Sequence, residues 1–470
     1  MTNTPLPQQL RTMDAARMRR YAEHLAFYAG DQWPAMTRHR SRRIVFNYAK
    51  AIVDKTASYV LNGLHMAVDP DGEGDEAARR ARDAEVALAR VYDENSLEQL
   101  DFDNEVDAAI LGDAAYKVTW DPDERRVRVT APDVQGLFAW WHGDDVSRVW
   151  RVASRYEIDA ETARMMYGVS QPTAGRARTG GKPPSVEIVE SWTAQTFELW
   201  AGGQRIDARD NPYGFIPFVI YPNLREPKQF WGVSDLPQIK EPLRELNRAL
   251  TQLSMILELS GNPIAVLENV TESNDIAVMP GAVWELPERA RAYLLDLLQG
   301  GGVKLHADYV DIVYRALHDL GEAPRTAFGE NRAALSGVAL NVELDPLLKK
   351  VQRKRLIRSA AFKRRNEMIL RILEQHAGDG VSYAPYRSRV VWGSVLPLDR
   401  SRLVEDERAL VASGIHSRRR AADELGVADP ETEFARWLEE EERVLEAGGR
   451  TSEVGGQRSE VGKERAVRCE

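Results

Sequence analysis

One cysteine in 470 residues, Cys469 beside the C-terminal residue, excludes an internal disulfide, a cysteine-ligated zinc site and a C-x-x-C redox pair. No apolar run approaches the roughly 18 residues needed to span a bilayer. The opening MTNTPLPQQLRTMDAARMRR has no apolar core of a signal peptide, so the sequence predicts no membrane partner and a protein cytoplasmic where it is made. Positive charge is also in deficit: 63 basic against 72 acidic residues leave a net charge of -9, which argues against a general DNA-coating protein, whose affinity comes from Lys and Arg neutralising phosphates.

Catalytic signatures are missing as well. GRARTGGKPP places Gly180, Gly181 and Lys182 like a phosphate-binding loop, but Gly175 lies one position too far upstream, and Pro183 stands where such a loop needs Ser or Thr. None of the histidines has H-E-x-x-H spacing, and no G-x-S-x-G elbow occurs. Asp101, Asp103 and Asp107, or Glu405 and Asp406, are the carboxylates a metal-dependent nuclease would draw on, yet their spacing is equally that of solvated helix faces. The sequence therefore predicts no catalytic residues, no metal and no cofactor, and a chain that is not an enzyme.

What is present is a folded chain, 43% hydrophobic and 29% charged, long enough for two to four domains or subdomains. Apolar residues at helical spacing predict helices over 14–28, 47–61, 75–94 and 97–111, with DPDGEGDE (69–76) as a turn. Short strands follow at 115–120, 126–130, 149–156, 186–193, 197–200 and 218–221. The polar, Gly/Pro-rich 170–184 reads as a loop, and 448–470, with SEVG twice, as a disordered tail.

From Ser234 the texture changes. Ile239, Leu243, Leu246, Leu250, Leu253 and Leu257 alternate steps of four and three, a stripe with a period near 3.5 that suits shallow packing on a neighbouring helix. Gly261, Asn262 and Pro263 end this rod, and short strands at 263–270, 281–287 and 290–297 lead to a second one. Val310, Val313, Leu317 and Leu320 carry its stripe, so two rods flank a small β module. After Pro324 a helix opening near Ser336 runs to about His376, with a kink expected at Pro346. Its Lys349, Lys350, Arg353, Lys354, Arg355, Arg358, Lys363, Arg364 and Arg365 read as one basic face, solvated or turned to a subunit, with direct DNA contact by 349–365 as the alternative. A strand at 389–395 and two or three helices between 399 and 446 close the ordered chain.

FWGVSDLPQIKEPLRELNRALTQLSMILELSGNPIAVLENV resembles the portal proteins of tailed bacteriophages, in which a G-x-S-D-L start opens a helix with an L-N-R step that ends before a Pro-Ile strand. Gly232, Ser234, Asp235, Leu236, Leu246, Asn247 and Arg248 carry that likeness, and FGENRAALSGVALNVEL, with Ser336, Gly337, Ala339 and Leu340, resembles the family's channel loop and following helix. FYAGDQWP, IVFNYAKAIVDKTASYVLNG, VVWGSVLPLDRS and ASGIHSRRRAADELG resemble its opening and closing segments in matching order, over roughly 20–446.

The resemblance implies an α+β, mainly helical protomer of a portal ring, a homo-oligomer usually of twelve subunits, with wing, stem, clip and crown. It implies an N-terminal wing region over 1–233, stem helices at 234–261 and 303–322, and the clip at 262–302. The tunnel loop and start of the kinked helix would occupy 323–345, a wing helix and strand 346–398, and the crown 399–447. Gly329, Glu330, Asn331, Arg332, Ala333, Ala334 and Leu335 would form the tunnel loop around double-stranded DNA. Trp284, Glu285 and Tyr293 would mark the clip, where the terminase large subunit and later a head–tail connector or adaptor dock. Capsid and scaffold proteins would be further partners, and the location a capsid vertex of the virion, with assembly in the host cytoplasm.

Overall fold

The computed structural model describes residues 4–33, 43–72, 74–169, 185–261, 264–269, 289, 291–295, 302–329, 337–378, 380–395, 400–427, 433–434, 436–438 and 440. Helix and sheet are mixed, in two units divided between Val395 and Leu396.

The first unit opens with α1 (Leu6–Thr12), α2 (Ala15–Tyr28) and α3 (Tyr48–Val60). The Asn47 side chain accepts a hydrogen bond from Lys50 N at 3.2 Å and so starts α3, whose Ile52, Val53, Ala57 and Val60 are buried. After β1 (His65–Ala67) come α4 (Asp75–Glu94) and α5 (Leu97–Leu111), both with the bounds the periodicity predicts. Along α4 the buried Ala77, Ala81, Ala84, Leu88 and Val91 step by four and three, and this small-residue seam faces the core.

β2 (Asp113–Asp121) is the centre of a three-stranded sheet, between β3 (Arg126–Thr130) and β9 (Phe218–Pro222), antiparallel to both. The β2–β3 turn forms at Asp121–Pro122–Asp123, its Asp121 carboxylate accepting from the Asp123 and Glu124 amides. Between β3 and β9 the chain lays down β4 (Leu137–His142), β5 (Asp145–Asp159), α6 (Ala160–Tyr167), β6 (Ser185–Trp192), β7 (Thr196–Ala201) and β8 (Gln204–Asp210). These five strands form an antiparallel meander in chain order. α1 packs Leu6 and Leu10 against Phe138, Ala153 and Val189 in a small second core.

Then follow α7 (Pro237–Gly261), β10 (Ile264–Glu268), β11 (Arg291–Leu295), α8 (Gly302–Leu320) and the 40-residue α9 (Gly337–His376), which runs on through Pro346. β12 (Arg389–Val391) returns to pair with β1. Beside that pair Gly63 and Gly393 touch: a Cβ on Gly63 would lie 2.7 Å from the Gly393 Cα. The second unit contributes α10 (Arg400–Ala412) and α11 (Arg418–Glu424), with His416 Nδ1 2.8 Å from Glu407 Oε2. The expected loop 170–184 and tail 448–470 lie outside the described residues.

Candidate assembly and channel surfaces

The start of α7 explains its sequence motif. Gly232 N donates to Asp113 Oδ1 at 2.7 Å, and a Cβ at Gly232 would stand 2.5 Å from the Gly112 carbonyl oxygen, so only glycine fits there. Ser234 Oγ donates to the Ala109 carbonyl and accepts from Leu236 N, both at 3.0 Å, which joins α7 to the end of α5. Asp235 is buried beneath them.

α7 and α8 pack against each other, with the antiparallel hairpin β10–β11 between them in sequence. At 25 residues α7 is about 37 Å long. Ile239, Leu243, Leu246, Val313 and Leu317 are buried, and Leu250, Leu253 and Val310 are half-buried, as their stripes predict. Leu257 and Leu320 depart from that expectation: 52% and 46% exposed, they find no cover among the described residues. For Leu320 the reason lies in a second apolar line on α8, Leu305, Tyr309, Ile312, Ala316 and Leu320, that flanks the buried one.

One flank of the rod pair is covered by residues 43–48. Ile44 N donates to Thr251 Oγ1 at 3.2 Å and Phe46 N to Asn247 Oδ1 at 2.9 Å, while the Tyr48 ring lies 5.2 Å from that of Tyr314. Asn247, the middle of the L-N-R step, is thus a strap anchor: its Nδ2 also donates to Gln32 Oε1 at 2.7 Å. The sequence signalled Asn247 by motif but not its partners. Val45 and Phe46 remain exposed on the strap's outer side.

The connection from α8 to α9 is built to a fixed end. His318 Nδ1 lies 2.6 Å from the Ala323 carbonyl oxygen, Arg325 reaches Asp311 Oδ1 at 3.2 Å, and a single 3-10 turn (Arg325–Phe328) ends at Gly329 with φ 88°. Of the expected tunnel-loop residues only Gly329 is described; Glu330, Asn331, Arg332, Ala333, Ala334 and Leu335 lie outside the described residues, as do Trp284 and Glu285. Tyr293 is exposed on β11, its hydroxyl 3.3 Å from Glu268 Oε1 across the hairpin.

The basic run on α9 is not one outward face. Lys349, Arg353, Lys363 and Arg364 are exposed, but Lys350, Lys354, Arg355, Arg358 and Arg365 are buried. At 100° per residue the two sets occupy opposite arcs of the helix. Lys354 Nζ is 2.8 Å from Asp235 Oδ2 and 3.4 Å from Glu105 Oε1. Lys350 Nζ reaches Asp235 at 3.4 Å and donates to the Gly321 carbonyl at 3.0 Å. Arg358 grips Glu105 and also donates to the backbone and side-chain oxygens of Asn223, at 2.5 and 2.8 Å. Arg365 pairs with Asp101, which also accepts from Tyr116 at 2.7 Å. Burial raises a carboxyl pKa, but Lys350 and Lys354 outweigh it and hold Asp235 below the usual carboxylate range; burial pushes the Lys354 amine down. These charges join α5, the start of α7 and the end of α8 to α9, and they are not available to a DNA backbone.

The nuclease candidates are dispersed too. Asp101 is consumed by Arg365, Asp103 and Asp107 are exposed, and Glu405 and Asp406 sit in the other unit. Among the described residues no three His, Cys, Asp or Glu side chains converge as a metal site, and no helix is long and apolar enough to cross a membrane.

A family model described as phage portal protein, SPP1 Gp6-like, matches residues 8–447 of the 470. No curated protein matches the chain.

Proposed function

We propose, for a chain that belongs to the phage portal protein family of the SPP1 Gp6-like type, that it is one subunit of a closed ring, of twelve subunits in the family's pattern, through which double-stranded DNA enters and leaves a capsid. The family is structural rather than enzymatic, and the place it implies is a capsid vertex of the virion. The observation that carries the reading is the pair α7 and α8 joined through β10–β11, within a match that covers nearly the whole chain.

In this reading α7 and α8 are the stem, 262–302 the clip, and 323–345 the tunnel loop leading into α9. Residues 1–233 and 346–398 make the wing, and 399–447 the crown. The clip, with Trp284, Glu285 and Tyr293, receives the terminase large subunit during packaging and the head–tail connector afterwards. Capsid and scaffold proteins surround the wing, and assembly takes place in the host cytoplasm. A short hairpin has little core of its own, so strands of neighbouring subunits complete it.

A conduit must hold its cargo loosely, because each phosphate neutralised adds salt-sensitive affinity and a ring multiplies every such contact. Burial of five cations of α9 supports this, since it keeps them from the duplex. Native mass spectrometry and negative-stain images of the purified chain test the reading. Closed rings with a central hole are expected; a monomer that persists at high concentration would sink it.

A further inference from the structure

We infer that the ring's lateral contact is heterologous and runs through Val45 and Phe46 of one copy against the second apolar line of α8 in the next. The inference rests on the ring reading above and specifies its seam.

Leu305 and Ile312 on that line are 72% and 63% exposed, and Tyr309 and Leu320 are exposed with them. Their steps of four, three, four and four, through Ala316, make a continuous stripe. A stripe of this period needs a partner lying along the helix, not a point contact. Tyr309 is already oriented, its hydroxyl donating to Glu245 Oε1 of α7 at 2.7 Å. Nothing else among the described residues covers this flank.

The opposite flank is closed by the strap. The Tyr48 ring lies tilted against Tyr314 and edge-on to His318, and Ile312 projects about 200° around α8 from Tyr314. On the strap's outer surface Val45 and Phe46 are exposed apolar side chains in a segment whose amides are tied to Asn247 and Thr251. α7 and α8 run antiparallel with Ile239 beside Gly321, so equal rise along both rods places Asn247 and Thr251 level with Val313 and Tyr309. The two apolar patches, left uncovered by the described residues, therefore sit on opposite flanks of one rod pair at the same height. A copy related by rotation about an axis parallel to the rods brings one patch onto the other. Two different patches in contact make a head-to-tail interface, and such an interface makes a ring when its rotation closes. A second copy is the occupant that supplies an apolar patch at matching height on a rod of matching length.

The test uses the full chain. Phe46→Asp and Ile312→Asp should each weaken ring assembly by at least about tenfold, the factor corresponding to about 1.4 kcal/mol, and leave the melting of the monomer unchanged. Mixing the two variants leaves one intact contact per pair and should yield dimers that grow no further. A Phe46→Cys, Ile312→Cys double variant in a Cys469→Ser background should form a ladder of covalent multimers on oxidation, and neither single cysteine should; this readout stands even if an aspartate variant misfolds. Normal rings from both aspartate variants, mixed variants that stay monomeric, or wild-type-like rings without a ladder would overturn the seam and leave the ring reading intact. A wild-type chain that never forms rings removes both.

Discussion

Arg358 and Glu105, 253 residues apart in the chain, form a two-pronged ion pair, with Nε to Oε2 at 2.6 Å and Nη2 to Oε1 at 2.9 Å. Both side chains are out of solvent. A buried pair gains little over well-packed apolar residues, but removing one partner leaves an uncompensated charge. Arg358→Met should therefore cost about 3–5 kcal/mol in urea unfolding. The double variant Arg358→Met, Glu105→Gln should cost clearly less than the two single changes summed; simple additivity would show that the pair is not coupled.

Gly232→Ala should destabilise the first unit by more than about 2 kcal/mol, as a steric clash with backbone and a proline ring that cannot swing away. The added Cβ meets the Gly112 carbonyl oxygen and the Pro222 Cβ, each at 2.5 Å. Ser234→Ala, which loses only the capping bonds, should cost about 1 kcal/mol. Comparable melting temperatures for the two variants would contradict this account of the motif.

Asn247→Ala should release the strap while leaving α7 folded. Phe46 N loses its acceptor and Gln32 Oε1 its donor. Hydrogen exchange at the Phe46 amide is expected to rise at least about tenfold, as loss of one partly buried bond implies. Exchange within α7 should change little, and an unaltered Phe46 amide would argue against the anchor.

Acidification should act through His24. Burial first, then the nearby Lys240, lower its pKa from 6.5 to about 4. The unfolded chain therefore takes up a proton that the folded chain refuses between these values. The stability this group supports is whole above pH 6.5 and falls toward pH 4, by at most about 1.4 kcal/mol per pH unit for one proton. Unfolding free energies between pH 7 and 4 should decline less steeply in His24→Gln, and parallel curves would exclude His24 as a source.

Deleting residues 330–334 should leave the unfolding of the subunit unchanged and impair packaging or retention of DNA. Arg332→Glu should act mainly on passage, more at low salt than at high. Wild-type packaging by both would remove the tunnel role proposed for this segment.

The bounds of α4 and α5 were legible from their apolar spacing, although α5 also turns Asp101 and Glu105 inward to meet α9. β4 and β8 were not. LFAWWH is apolar without alternation, and QRIDARD is an exposed edge strand with little apolar signal of its own. The α7 and α8 stripes read correctly where the described residues cover them, while Leu257 and Leu320 stay exposed among those residues. The cations of α9 misled for a physical reason: Lys and Arg are ordinarily outside unless paired, and their partners Glu105 and Asp235 lie far away in the chain. The only local hint was that Lys350, Lys354, Arg358 and Arg365 share one arc of the helix.

The pairing of β1 with β12, Met66 opposite Val390, sets an order on synthesis. A growing chain carries β1, and the Gly63 surface prepared for Gly393, without their partners until nearly the whole first unit has been translated. At about 5–20 residues per second that interval lasts on the order of tens of seconds. Glu105 waits through the 253 residues that separate it from Arg358 of α9. The first unit thus reaches its native closure only in chains that are almost finished, so truncated products left by interrupted translation lack the clasp, the buried counter-charges and the means to take a place among complete subunits.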